Sequence, residues 1–205
     1  MTLLELNKLY NMDCMDGMKH FPDKYFDLAI VDPPYGIEIT KGGRLKKYNS
    51  GNKDWDNSPP PKEYFEELFR VSKNQIIWGG NYFDLPPTKC FLIWDKQQPE
   101  GVSFASCEYA WTSFNSVAKT FYKSPMNTDG NRIHPTQKPT DLYYWILGRY
   151  AKAGDKILDT HAGSASSLCA CYNAGYEFIG FEIDEHFYTL ANERLLAEMA
   201  QFRFF

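Results

Sequence analysis

Residues 156–182 carry a pattern that few folds accommodate: an apolar run, a turn of small residues, a helix-length segment, a second apolar run and then an acid. Lys156 to Thr160 predicts a buried strand, His161 to Ala165 a tight turn, and Ser166 to Asn173 a helix. Gly175 falls where a helix C-terminus favours a left-handed residue, and Phe178 to Phe181 predicts another buried strand with Glu182 at its carboxyl end. Glu182 follows Gly163 by about twenty positions, the distance at which nucleotide-binding α/β units place a ribose-holding acid, because one helix and one strand intervene.

A second strand ends in chemistry of a different kind. Leu28 to Val31 predicts a short buried strand that Pro33 stops, since proline has no N–H for a sheet and fixes its own φ. Asp32 therefore stands at a strand's carboxyl end, the edge where open α/β sheets bind ligands. Asp32-Pro33-Pro34-Tyr35 can hold an aromatic amine. The Asp32 carboxylate and the Pro33 carbonyl each accept one N–H, which localises a lone pair otherwise delocalised into a base ring. Tyr35 offers a flat face for a base taken out of its stack.

Asp32-Pro33-Pro34-Tyr35 resembles the catalytic motif of the amino methyltransferases that modify adenine N6 or cytosine N4 in DNA, enzymes that use S-adenosylmethionine. With the catalytic strand preceding the cofactor turn, the chain is similar to the permuted β-type group, in a compact bacterial or phage form. The resemblance implies a Rossmann-like α/β methyltransferase fold, with a mainly parallel sheet and helices on both faces. It also implies that Asp32, Pro33, Pro34 and Tyr35 are catalytic and that Asp159, Gly163, Ser164 and Glu182 hold the methyl donor. Tyr10 to Cys14 resembles the segment lining the donor's adenine pocket, which adds Asp13 and Cys14. His134 to Pro139 resembles the segment before the helix that feeds the cofactor turn, which adds Lys138. Asp13 is also a helix N-cap candidate, and Lys138 a solvated loop charge candidate. Gly79-Gly80-Asn81 resembles a feature near the target-base pocket.

One departure stands out. The family usually shows Phe-x-Gly-x-Gly at the cofactor turn, whereas this chain has His161 for Phe and Ala165 for the second Gly. Alanine is tolerated where its φ is negative, which predicts retained but weaker donor binding. His161 is read as a packing substitute.

Elsewhere the pattern predicts helices over Pro61–Val71, Thr140–Ala151 and Glu185–Met199, the last two capped by Thr140 and Asp184. Strands are predicted over Gln75–Trp78, Phe91–Trp94, Glu108–Thr112 and Val117–Tyr122. Alternating strands and helices point to a mainly parallel sheet. At 205 residues with no break in composition, one domain over residues 1–205 is expected. The five cysteines form no disulfide framework, and no metal-ligand spacing occurs among the cysteines and four histidines, so no metal is expected. With neither a membrane-length apolar run nor a signal-peptide pattern, the expected setting is cytoplasmic.

The net charge of −4 is unusual for a protein that binds double-stranded DNA. Position resolves it. From Lys41 to Lys62, six Lys or Arg stand against two Asp, so that stretch carries +4 and the rest of the chain −8. The Gly- and Asn-rich loop at about residues 36–60 is therefore the expected DNA contact, through Arg44, Lys46, Lys47, Tyr48, Lys53 and Trp55. A short segment at about residues 114–132, ending at Arg132, is the second candidate. Its brevity points to a short target, relaxed specificity, or help from a homodimer or partner chain. In the family Asp at the first motif position leans toward adenine, which makes N6-adenine methylation the leading expectation. N4-cytosine methylation and a nucleic-acid-binding homologue without catalysis remain open alternatives.

Overall fold

The computed structural model describes residues 2–38, 56–101, 105–125 and 132–201. In chain order its elements are β1 (Lys8–Asn11), α1 (Cys14–Met18), β2 (Phe26–Val31), α2 (Lys62–Val71), β3 (Ser72–Trp78), a 3-10 turn (Gly80–Tyr82), β4 (Phe91–Asp95), β5 (Cys107–Thr112), β6 (Lys119–Tyr122), α3 (Thr140–Tyr150), β7 (Lys156–Asp159), α4 (Ser166–Ala174), β8 (Glu177–Glu182) and α5 (Glu185–Ala200).

The strands form one sheet in the order β1-β8-β7-β2-β3-β5-β4-β6. Among the described residues, β5 runs antiparallel to its two neighbours and every other pairing is parallel. Successive side chains of a strand point to opposite faces, and β2 shows what that does here. Leu28 and Ile30 pack with Leu142, Ile146, Leu168 and Leu195 from α3, α4 and α5. Ala29 and Val31 pack with Met18, Tyr64, Phe65 and Leu68 from α1 and α2. Helices therefore cover both faces, and strands apolar on both sides, such as β2, have no solvent face.

β7 lies beside β2, pairing Leu28 with Ile157 and Ala29 with Leu158. The strand that ends in Asp32 and the strand that feeds the 161–165 turn thus finish side by side, and β8 finishes next to them.

Several expectations change in detail. β1 is a strand, formed by edge pairing with β8, although its four residues carry only weak apolar alternation. Thr140 does not cap α3: Pro139 takes the N-cap position without a side-chain cap bond, and Thr140 Oγ1 accepts from Arg194 instead. Asp184 does cap α5, its carboxylate accepting from the amides of His186 and Phe187.

Candidate active site

The carboxyl edge of the sheet holds an open cleft lined by Asp32, Pro33, Pro34, Tyr35, Ile37, Asp56, Glu108, Thr136 and Lys138.

Asp32 follows the last residue of β2, and both of its oxygens are engaged. Oδ1 accepts from the Tyr35 hydroxyl at 2.6 Å, and Oδ2 accepts from Lys138 Nζ at 2.5 Å. Each oxygen keeps a second lone pair. Burial raises the Asp32 carboxyl above its usual range, with Lys138 opposing that rise and Glu108 adding to it. Lys138 is itself buried, yet its two carboxylate neighbours outweigh burial and hold it protonated.

Tyr35 is positioned from several sides. Its ring stacks on Tyr82 with centroids 4.9 Å apart and planes 13° apart, and Phe83 meets it edge-on. Asp56 Oδ1 accepts from the amides of both Tyr35 and Gly36, at 2.8 and 2.9 Å. This buried acid was not singled out in the sequence, where it reads as one more polar loop residue. Gly79, with φ +70°, starts the 3-10 turn against the ring of Tyr35, which lines the cleft.

Beside this cleft is the turn after β7. Asp159 is buried, accepting from the His161 amide at 3.0 Å and from the Ser167 hydroxyl, and burial pushes its carboxyl up to about 6. Gly163 has φ +52°, and its amide donates to Glu182 Oε2 at 2.9 Å. Glu182 Oε1 accepts from the Asp184 amide, and burial outweighs these two donors, pushing the carboxyl up to about 7. Ser164 Oγ lies 3.0 Å from Ser166 Oγ, while its carbonyl accepts from Arg194. His161 packs edge-on to Tyr64 and lies 2.9 Å from Thr160 Oγ1, and burial lowers it to about 4, which leaves it neutral.

The expected negative φ at Ala165 is not observed. Ala165 has φ +57° and is the N-cap of α4, a left-handed conformation that costs a non-glycine residue about 1–2 kcal/mol. The turn keeps its glycine-like path.

The N-terminal segment reaches the same edge. β1 pairs with β8 so that Asn11 lies opposite Glu182, and Asn11 Nδ2 donates to the Glu182 carbonyl at 2.9 Å. Asp13 follows as the N-cap of α1, its carboxylate accepting from the Met15 amide. Cys14 opens α1 with its thiol pushed up to about 12, chiefly by burial. Asp13, Cys14, Asp159, Gly163, Ser164 and Glu182 thus belong to one neighbourhood. Lys138 does not share their polar contacts; its ammonium is on Asp32. Four residues earlier His134 does reach the Gly163 turn, where a methyl added to Gly163 would lie 3.4 Å from its Nδ1.

Two acid–base partners escaped the sequence reading. Glu108, in β5, forms ion pairs with Lys138 at 3.0 Å and with Lys96 at 2.7 Å. Burial works against the Glu108 carboxylate, but Lys138 and Lys96 hold it down at about 2. Because β5 is antiparallel, its start rather than its end lies at the ligand edge.

Arg132 donates to the Gln137 carbonyl at 3.2 Å, tying down the segment that carries Lys138. Arg44, Lys46, Lys47, Tyr48, Lys53 and Trp55 lie outside the described residues. Among the described residues no cluster of three or more His, Cys, Asp or Glu could hold a metal ion, and no helix is long and apolar enough to cross a membrane.

Comparison with known proteins decides the family. The family model N6_N4_Mtase, described as DNA methylase, matches residues 77–193, more than half of the chain. The chain belongs to the N6/N4 DNA methylase family. Among curated relatives, the type II methyltransferase M.HinfI of Haemophilus influenzae is 21% identical over 93% of this chain and 68% of its own length. M.BglII of Bacillus subtilis is 24% identical over 94% and 70%. The fold matches a crystal structure described as an M1.HpyAVI–SAM complex (TM-score 0.61, 19% identity, 92% of this chain and 98% of that one). It also matches the cytosine-N4-specific PvuII DNA methyltransferase (TM-score 0.65, 11% identity, 96% and 92%). This DNA methylase therefore has the fold of solved DNA methyltransferases, and neither identity level distinguishes adenine N6 from cytosine N4.

Proposed function

We propose that this DNA methylase transfers a methyl group from S-adenosylmethionine to the N6 amine of an adenine flipped out of double-stranded DNA. The observation that carries the reading is the adjacency of β2 and β7, which sets Asp32 beside the Gly163 turn and Glu182. The donor set fits the methyl donor. Glu182 holds the turn through one lone pair on each oxygen, which leaves the others for ribose hydroxyls. Asp13 and Cys14 supply the adenine end of the pocket.

S-adenosylmethionine, when bound, supplies a sulfonium methyl whose C–S bond breaks, its electron pair staying on sulfur, as the amine nitrogen takes the carbon. Asp32 and the Pro33 carbonyl accept the two amine N–H groups and so direct the nitrogen lone pair out of the ring plane. Asp32 then takes the surplus proton of the methylated nitrogen and releases it to water. Placement of the nitrogen near the methyl and electrostatic shaping of the amine provide the rate. Pro34 keeps the Pro33 carbonyl out of the ladder, and Tyr35 forms one wall for the base.

The reading covers residues 1–205 as one methyltransferase domain. Arg44, Lys46, Lys47, Tyr48, Lys53, Trp55 and Arg132 contact DNA, and a second copy or a helper chain contributes to target choice. Asp at the first motif position favours adenine. The fold shared with the cytosine-N4-specific PvuII enzyme keeps N4-cytosine as the second reading.

The test is expression in a methylation-deficient bacterium beside an Asp32→Ala control, with DNA nucleosides quantified by mass spectrometry. N6-methyladenine that vanishes in the control is expected. N4-methylcytosine would select the second reading, and no methylated base in either strain would overturn both.

A further inference from the structure

Five side chains form one continuous polar chain along the cleft. It runs from Lys96 to Glu108 (2.7 Å), to Lys138 (3.0 Å), to Asp32 (2.5 Å) and to the Tyr35 hydroxyl (2.6 Å). Its four charges alternate in sign and come from separate places in the fold: the residue after β4, β5, the segment before α3, and the residue after β2. Lys138 is 3% exposed, and its ammonium also lies 5.4 Å over the Trp78 ring. Stability alone gives little reason for such a chain, because well-packed apolar residues commonly serve a core as well as buried ion pairs. The last of its charges is the Asp32 carboxylate, which lines the cleft.

We propose that Lys138 is a positioning residue for methyl transfer, its ammonium, braced by Glu108 and Lys96, fixing the Asp32 carboxylate in orientation and in its charged form. The inference rests on the reading of Asp32 as the acceptor of the target amine. A base entering the cleft displaces water from Asp32, and lost hydration favours the neutral acid. A protonated Asp32 would present a donor to the amine. Lys138 opposes that, and Glu108 helps keep the proton on Lys138. Lys96 in turn offsets the second negative charge. Among the described residues, the other titratable groups around Asp32 include Tyr35 and Asp56 of the cleft, Tyr64 of α2, Tyr143 of α3 and Asp159 of β7, with His134 and Arg132 on the Lys138 side.

Two substitutions shift Asp32 in opposite directions, which general damage to the site would not do. The readout is the side-chain carboxyl carbon-13 resonance of Asp32 in the full-length protein, assigned by its loss in Asp32→Asn and followed against pH. Lys138→Met is expected to raise the Asp32 midpoint by about one pH unit or more, and Glu108→Gln to lower it. Lys138→Arg should fall between Lys138→Met and the unmodified protein. Calorimetry with S-adenosylmethionine should give affinities within about threefold across the set, while kcat of Lys138→Met falls by about 100-fold with the acid limb of its pH profile moved up.

An unmoved Asp32 midpoint in Lys138→Met overturns the proposal, as does a tenfold or greater loss of donor affinity at constant kcat, which would make Lys138 a donor ligand. Should Lys138→Met not fold, Glu108→Gln decides by the sign of its shift. Absent methyl transfer in the unmodified protein would defeat the functional reading, while the titration still decides the electrostatic role of Lys138.

Discussion

Tyr35 and Gly79 are so close that a methyl group added to Gly79 would lie 2.1 Å from Tyr35 Cε1. The place of the aromatic wall is thus set by a side chain that is missing on the neighbouring strand's exit. Gly79→Ala would force the ring off the cleft and impose a left-handed alanine at φ +70°. It is expected to cost about 2 kcal/mol or more in urea denaturation and to lower methyl transfer at least tenfold. Gly154→Ala, with φ +85° and no described atom within 4 Å of the added methyl, isolates the backbone share and should cost about half as much.

The Tyr35 hydroxyl and ring do separable things. Tyr35→Phe keeps the wall and removes a hydrogen bond to a carboxylate, a contact of about 1.5–3 kcal/mol. Its kcat should fall about tenfold with KM for DNA little changed. Tyr35→Ala should raise that KM as well, by an amount read from steady-state kinetics. Equal effects of the two variants would leave the ring without a role in base capture.

Ala165 occupies a conformation that suits glycine, whereas Ala170 lies within α4. Ala165→Gly should leave the melting temperature unchanged or raise it, because relief of left-handed strain offsets the greater chain entropy of glycine. Ala170→Gly, the control, should cost about 1 kcal/mol or more. A comparable loss from Ala165→Gly would show that the buried methyl at 165 outweighs the strain.

Glu182 binds its proton more tightly in the folded protein, with a carboxyl pushed from the ordinary 4.5 to about 7. Between those values the native state holds more protons than the unfolded chain, so this group lowers stability progressively as pH rises from 4.5 to 7. Glu182→Gln mimics the protonated acid. Its stability relative to the unmodified protein should grow across that window and level off above it, by chemical denaturation at a series of pH values. A difference independent of pH would contradict the raised carboxyl.

The strands that end at Asp32 and Glu182, and the turn that starts at His161, were legible because their signals are local. Asp32 follows a four-residue apolar run, Glu182 follows another, and a strand–turn–helix–strand unit restricts where its acid stands. Element type survived for the same reason: the apolar periodicity of 61–71, 140–151 and 185–199 exceeds what a loop would show. β1 escaped because an edge strand of four residues is made by its neighbour β8 and not by its own pattern.

Sequence alone determined which residues end strands and which chemistry stands at those ends, since hydrophobic period and proline act within a few positions of the chain. Tertiary structure alone decided their company. It reversed β5 so that Glu108 faces the ligand edge, brought Lys138 across 106 positions to Asp32, and set Ala165 at a positive φ. Ion pairing and sheet order depend on distances in space, and a residue's neighbours in the chain carry no record of them.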